Sequence, residues 1–474
     1  MSTSKARLII DKSIKRETKF IPEKTFNLTK DKFIKDNPSY GINLLSDVIE
    51  VNMDKVIKCI DLNKSIQKVL LFGEVQSGKT NNMIFLTSML RDKGFNKFIL
   101  FTGTKNNLNI QNVSRFKESN KDCSFKDFKE LNNFFLKSEN CQFLYGIKQN
   151  ISNLLKNFQD LSEVDYEDWK IIIIDDEADE ASSEKSKVDR TVNTNIDKLL
   201  SYKTKNKLYF SVTATPYANL LSYTDSLTPD YLVPLSSSKS YCGLKEFIDN
   251  NSYIELEENL VEGLKNISYN NEKLNNFMKN TITDFLCICF KYSRNFQFLI
   301  NVDSSKNKIK NLATYFRFIV NLIKIEKDDF FLNHVGGDEL KEFKLYLNAL
   351  KVKYTIEGIN YIREDTPEII IGGNLLSRGI TFDNLLYQIM INHASPNNLT
   401  SDTLLQRARW FGYREQFIKE MKIFVTKVAK KFYEEIYYLE SNIRDMYSKL
   451  YEHNSGKKEK IEELFKTMSL KWTS

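Results

Sequence analysis

Eight residues constrain the fold of this chain more than any other stretch. Gly73 to Thr80 read GEVQSGKT, and the spacing of Gly73, Gly78, Lys79 and Thr80 fits G-x-x-x-x-G-K-[ST], a phosphate-binding loop. The apolar run Val69-Leu70-Leu71-Phe72 ahead of it predicts a strand, and the spacing of Met83, Leu86 and Leu90 predicts a helix behind it. Gly94 marks a helix stop, and Lys97 to Phe101 predicts a second strand. Glycines let the backbone curl so that its N–H groups, and the positive end of the next helix, face a polyphosphate. The expected site takes Gly73, Ser77, Gly78, Lys79 and Thr80 around that ligand, with Lys79 reaching the β- and γ-phosphates and the Thr80 hydroxyl on Mg²⁺. The competing reading is a Gly-Lys turn on a surface loop. The strand before and the helix after argue for a nucleotide site instead.

A phosphate loop needs a partner acid. Ile171 to Ile174 are four β-branched residues in a row, as in a parallel strand buried on both faces, and Asp175-Asp176-Glu177-Ala178-Asp179 follow. Carboxylates at the carboxyl end of such a strand fall where ligands bind in open α/β sheets. Asp176 is the candidate to hold Mg²⁺, directly or through water, and Glu177 to orient and deprotonate an attacking water. Read alone, the stretch is equally a solvated acidic turn. Leu208 to Val212 predicts a further strand ending in Thr213-Ala214-Thr215-Pro216, whose hydroxyls can bond the Glu177 region and relay nucleotide state. Thr102-Gly103-Thr104 closes the second strand with a small turn suited to a binding edge.

At 474 residues the chain is too long for one ordinary core, so two or three domains are expected. Residues 1–64 read as an N-terminal basic and helical segment, whose first 40 or so residues, with Lys5, Arg7, Lys12, Lys15, Arg16 and Lys19, read as loosely packed and solvated in preference to a nucleic-acid-contacting arm. Its end from Asn43 to Asn63 is helical, with Leu44, Val48, Val51 and Val56 on the apolar side. Residues 65–222 form the first α/β domain, in which Phe116 to Asn140 reads as an irregular helical insertion and Gln142 to Gly146 as a strand. In residues 223–282 sheet signals lapse, which predicts a connector or insertion. They resume at Phe296 to Val302, Glu368 to Ile371, Leu385 to Ile391 and Lys422 to Val425, placing a second α/β domain over 283–430. A helical segment over 431–474 follows. No apolar run reaches the ~18 residues of a membrane helix, and the N-terminus offers no signal-peptide core. Six dispersed cysteines in a chain of this size suit reduced thiols and a cytoplasmic location, and the three histidines lie too far apart for a zinc site. The net charge of +7 is compatible with a polyanion partner without identifying one.

The second domain has no phosphate loop of its own. It has Gly372-Gly373-Asn374-Leu375-Leu376-Ser377-Arg378-Gly379, then Asp402 to Arg414, reading DTLLQRARWFGYR. Arginines at such turns can stabilise charge on a γ-phosphate from across a domain interface. Alone, the stretch also reads as a basic helix face packed on Trp410 and Phe411.

The ordered strings GEVQSGKT, LFTGTKNNLNIQNVSRF, IIIIDDEADEAS, SVTATPYANLL, GGNLLSRGITFDNL and DTLLQRARWFGYR resemble those of superfamily 2 helicase-like ATPases. The resemblance is closer still to the bacterial family labelled endonuclease, Z-one domain. It covers about residues 65 to 425, weakly in the middle, and implies an α/β fold of two RecA-like parallel-sheet domains with helical additions. It also implies ATP and Mg²⁺ as cofactors, phosphate contacts by Gly78, Lys79 and Thr80, and metal and water handling by Asp176 and Glu177. Coupling would run through Thr213 and Thr215. Arg378 and Gly379 would lie near the nucleotide, Arg409 or Arg414 would act as the arginine finger, and Thr102, Gly103 and Thr104 would touch a nucleic-acid backbone. DNA is the implied ligand. Anti-phage defence with a MutL-like or MORC-like ATPase or a nuclease is the implied setting. Ala408 departs from the family's usual glycine, and no P-D…[DE]-x-K pair supports intrinsic nuclease activity. A nucleotide-switched interaction module that never handles DNA is the alternative.

Overall fold

The computed structural model describes residues 20–37, 41–102, 106–178, 187–214, 227, 229–332, 334–356, 364–373, 382, 384–392, 404–405 and 407–454. Seven strands build the first sheet: β1 (Ile66–Phe72), β2 (Lys97–Thr102), β3 (Ser124–Asp127), β4 (Gln142–Gly146), β5 (Lys170–Asp176), β6 (Asn206–Thr213) and β7 (Tyr231–Pro234). Their order is β3-β4-β2-β5-β6-β1-β7, and every neighbouring pair is parallel. Parallel strands need crossover helices, and helices on both faces bury both sides of each central strand. All of β2 and β6 is accordingly buried. The isoleucine run of β5 divides by the period of two: Ile172 and Ile174 enter one core with Met83 and Leu86, while Ile171 and Ile173 enter the other with Leu154 and Ile196. Each buried isoleucine contributes roughly 2 kcal/mol, so this strand end is firmly held.

After the short strand β8 (Tyr241–Cys242), the second sheet is built from β9 (Tyr253–Glu255), β10 (Gln297–Asn301), β11 (Lys351–Thr355), β12 (Glu368–Gly372), β13 (Leu385–Met390) and β15 (Lys422–Val425). Its order is β11-β12-β10-β13-β15-β9, again all parallel. The expected strands at Phe296, Glu368, Leu385 and Lys422 are its centre. A separate two-stranded antiparallel pair joins β8 to β14 (Gly412–Tyr413). Among the described residues no helix is long and apolar enough to cross a membrane.

Four expectations are corrected. The stretch from residue 222 to 279 is more than a connector: β7 pairs with β1, and β9 pairs with β15, so it adds an edge strand to each sheet. These strands are only three and four residues long, too short to register as a periodic signal. Within 116–140 the helix Asn106–Ser119 ends and the edge strand β3 begins, paired with β4. The first 40 residues are not uniformly loose, because Lys24–Asp36 is a helix. Its Phe26 is fully buried with the Phe85 ring centroid 5.1 Å away, and Asp92 accepts from the Thr25 and Phe26 N–H groups at 2.8 and 3.0 Å. Finally Val51 is 41% exposed, although Leu44, Val48 and Val56 are buried. A π-turn over Leu45–Ile49 widens the helix there and rotates Asn52 and Met53 into the core in its place.

Candidate active site

The loop Gly73 to Thr80 leaves the carboxyl end of β1 and opens the helix Lys79–Asp92. Its first N–H, that of Gly73, donates to the Thr213 carbonyl at 3.1 Å, fixing the loop to the end of β6. The chain reverses with Gln76 at φ 59° and Gly78 at φ 87°, and a side chain at residue 78 would be strained there. Ser77 Oγ and Lys79 Nζ both donate to the Glu74 carbonyl, at 2.8 and 2.9 Å, so the loop curls around its own lysine. Behind it, Asn52 donates to Asn82 Oδ1 at 2.9 Å and accepts from the Ser236 N–H at 2.8 Å, which braces the first helical turn.

The acids stand beside this loop. Asp176 ends β5 opposite Thr102 of β2. Its carboxylate accepts from Asn112 Nδ2 at 2.9 Å and from the Glu177 N–H at 3.1 Å. Burial first, and the Glu177 charge second, push its pKa up to about 7, against the opposing pull of the Lys79 and Lys148 ammonium groups. Lys79 is therefore within electrostatic reach of Asp176. Glu177 takes a left-handed backbone, φ 52°, and its buried Oε2 has no hydrogen-bond partner among the described residues. Carboxylate oxygens of this kind, one of them an unsatisfied buried acceptor, are hard donors that suit a divalent cation such as Mg²⁺ or its ordered water, so Asp176 and Glu177 fit that ion.

Residues far along the chain close over the loop. Tyr413 Oη donates to the Ser77 carbonyl at 2.9 Å, Tyr241 Oη to the Val75 carbonyl at 2.5 Å, and Gln76 Nε2 to the Ala408 carbonyl at 3.4 Å. Ser237 Oγ donates to Glu74 Oε2 at 2.8 Å. Neither tyrosine stood out in the sequence: Tyr241 is one aromatic in a polar stretch, and Tyr413 is overshadowed by the arginines and by Trp410 and Phe411 beside it. Arg409 and Arg414 are both buried. Arg414 donates to the carbonyls of Trp410 at 2.7 Å, Phe382 at 2.6 Å, and Leu385 and Arg409 at 3.3 Å each, the pattern of a side chain that binds its own domain together. Thr102 and Thr213 are buried at their strand ends. Gly103, Thr104, Thr215, Arg378 and Gly379 lie outside the described residues. Sequence reasoning also missed Lys148, whose ammonium pairs with Asp175 at 2.7 Å.

Two family models match the chain. Residues 48–218 match the type III restriction enzyme res subunit, and residues 338–468 match the Z1 domain. The chain thus carries one stretch similar to the res subunit, which holds the phosphate loop and the acid strand, and a later stretch similar to the Z1 domain. No curated protein matches it. Among solved structures, the DUF1998 helicase MrfA bound to DNA aligns with a TM-score of 0.51 at 13% identity, over 87% of this chain and 52% of that one. The type ISP restriction–modification enzyme LlaBIII bound to DNA gives 0.43 at 12% identity, over 86% and 28%. Dbp5 of S. cerevisiae bound to RNA and ADP BeF3 gives 0.41 at 13% identity, over 77% and 82%. The likeness to MrfA and the two all-parallel sheets make the fold a pair of RecA-like domains with helical additions. The chain thus spans about half the length of MrfA, as its 52% coverage gives.

Proposed function

We propose that this protein hydrolyses ATP with Mg²⁺ between its two RecA-like domains, and that the accompanying closure changes its hold on DNA, by remodelling or translocation, in anti-phage defence. In this reading Gly73, Ser77, Gly78 and Lys79 bind the phosphates, and Thr80 and Asp176 would hold Mg²⁺, which when bound neutralises phosphate charge. Glu177 takes a proton from water as its oxygen attacks the γ-phosphorus and the bond to the bridging oxygen of ADP breaks. Arg409, together with Arg378 and Gly379, belongs to the second domain's half of the site. Thr213 and Thr215 couple the halves, and Thr102, Gly103 and Thr104 face the nucleic acid. A MutL-like or MORC-like ATPase, or a nuclease, is the proposed partner, in the cytoplasm.

One observation supports this reading above the others. Lys79 stands close enough to Asp176 to offset its charge, while Tyr413 from the second domain donates to the carbonyl of Ser77 in the same loop. A loop, an acid strand and a distant segment meeting at one point is the layout an ATP-closed interface requires. The test is steady-state ATP hydrolysis with and without single- and double-stranded DNA, beside Glu177→Gln. Turnover that rises with DNA and falls on the order of 10²-fold or more in the variant is expected. Equal turnover in wild type and Glu177→Gln would remove the site. Turnover indifferent to DNA would favour the interaction-module alternative.

A further inference from the structure

Beneath the acid strand lies a charge pair that the hydrolysis scheme does not use. Lys148 opens the short turn Lys148–Asn150 that follows β4. Its side chain and that of Asp175 are both fully buried, with Nζ 2.7 Å from Oδ1. Tyr209 Oη on β6 donates to the other Asp175 oxygen at 2.7 Å. The same Lys148 ammonium donates to the main-chain carbonyl of Glu177 at 2.7 Å.

The Glu177 peptide needs such a partner. A non-glycine residue at φ 52° is strained by roughly 1–2 kcal/mol and persists only where its surroundings over-determine it. Three contacts do so. Asp176 Oδ1 holds the Glu177 N–H at 3.1 Å, the Val212 carbonyl holds the Ala178 N–H at 3.0 Å, and Lys148 holds the carbonyl between them. The left-handed turn redirects the residue away from the strand's alternation, and its Oε2 is buried without a hydrogen-bond partner among the described residues. A buried ion pair is a poor means of stabilisation, since desolvating both charges can exceed their attraction. Its ammonium, however, reaches from a fixed anion to a carbonyl that an apolar side chain could not hold.

We propose that Lys148 is a positioning residue: anchored by Asp175 and Tyr209, it fixes the Glu177 main chain so that the Glu177 carboxylate meets the attacking water. The proposal rests on Glu177 being the base in the ATPase reading above. Removing Lys148 alone strands the Asp175 charge and destabilises the fold, so the decisive variant neutralises both partners.

The experiment compares the wild-type full chain, Lys148→Met, Lys148→Met with Asp175→Asn, and Glu177→Gln. The readouts are thermal melting, KM for ATP and kcat. The single variant melts lower. The double variant regains most of the melting temperature and keeps KM within about threefold, yet its kcat stays down on the order of 10²-fold, the effect of a catalytic group misplaced by about 1 Å. Recovery of wild-type kcat in the double variant would overturn the proposal and leave Lys148 a structural counter-ion. A raised KM with unchanged kcat would overturn it equally. Should Glu177→Gln itself hydrolyse ATP like wild type, the ATPase reading falls and the positioning role with it; a dead Glu177→Gln beside a fully active double variant fails the positioning role alone.

Discussion

Arg414→Ala separates two roles that the sequence left open. The buried guanidinium donates to four carbonyls, and these belong to the approach to β13 (Phe382 and Leu385) and to the turn Arg409–Trp410. It therefore ties the segment that reaches the phosphate loop to the second sheet. A hydrogen bond to a charged group nets about 1.5–3 kcal/mol. Counting the contacts at 2.6 and 2.7 Å in full and those at 3.3 Å in part, the loss is on the order of 5 kcal/mol. In a domain of ordinary size that lowers the melting temperature by about 10–20 °C. Differential scanning calorimetry of the ligand-free protein would read this as an early transition of the second domain. Hydrolysis per folded molecule, measured below that transition, stays within about threefold of wild type, because these donors are directed at the protein's own backbone. An unshifted transition together with a loss on the order of 10³-fold in kcat would refute the reasoning and make Arg414 the finger.

Arg409→Ala should lower kcat on the order of 10³-fold; a variant that hydrolyses normally would remove Arg409 from the transition state. Tyr413→Phe deletes the hydroxyl that bonds the Ser77 carbonyl. It should raise KM for ATP several-fold, on the order of the ~1 kcal/mol a hydrogen bond contributes, and an unchanged KM would mean the loop does not depend on that contact. Asp176 titrates near 7 in the fold and near its ordinary 3.8 when unfolded, so folding takes up a proton between those values and stability falls as pH rises through 7. Asp176→Asn should therefore stabilise the metal-free protein more at pH 8 than at pH 5, by roughly 2–3 kcal/mol over the two pH units between 5 and 7, seen as a larger rise in melting temperature; equal gains at both values would contradict the shift.

What was legible in the sequence was legible for physical reasons. A phosphate loop demands glycine, lysine and a hydroxyl at fixed spacing, and a strand buried on both faces demands an unbroken apolar run. GEVQSGKT and Ile171 to Ile174 therefore announce both the first sheet and the edge where its chemistry sits. The edge strands were not legible. β7 and β9 are short, and β3 is a mixed strand, SFKD, partly open to solvent, so none carries a burial pattern that distinguishes it from a loop. The Val51 error has a different cause: a π-turn shifts the helical phase through hydrogen bonding that composition does not encode. Tyr241, Tyr413 and Lys148 were unreadable because their meaning lies in a partner far away in sequence. The Tyr413 hydroxyl reaches a residue 336 positions back.

The end of β5 gathers three features that each oppose folding: a carboxyl displaced toward neutrality at Asp176, a left-handed backbone at Glu177, and a desolvated ion pair at Lys148 and Asp175. Chance would scatter such costs over a chain of 474 residues. Here they occupy three consecutive positions and one lysine, directly above isoleucines that enter two separate cores. The rigid strand beneath is what allows the strain to persist, and the strain is what presents the acids toward the phosphate loop. A site of this kind keeps most of its stability when its charged groups are neutralised together and loses catalysis by the same change. That coupling ties Asp176→Asn to the Lys148 and Asp175 pair: in each case turnover should fall without the loss of melting temperature that an ordinary core substitution brings.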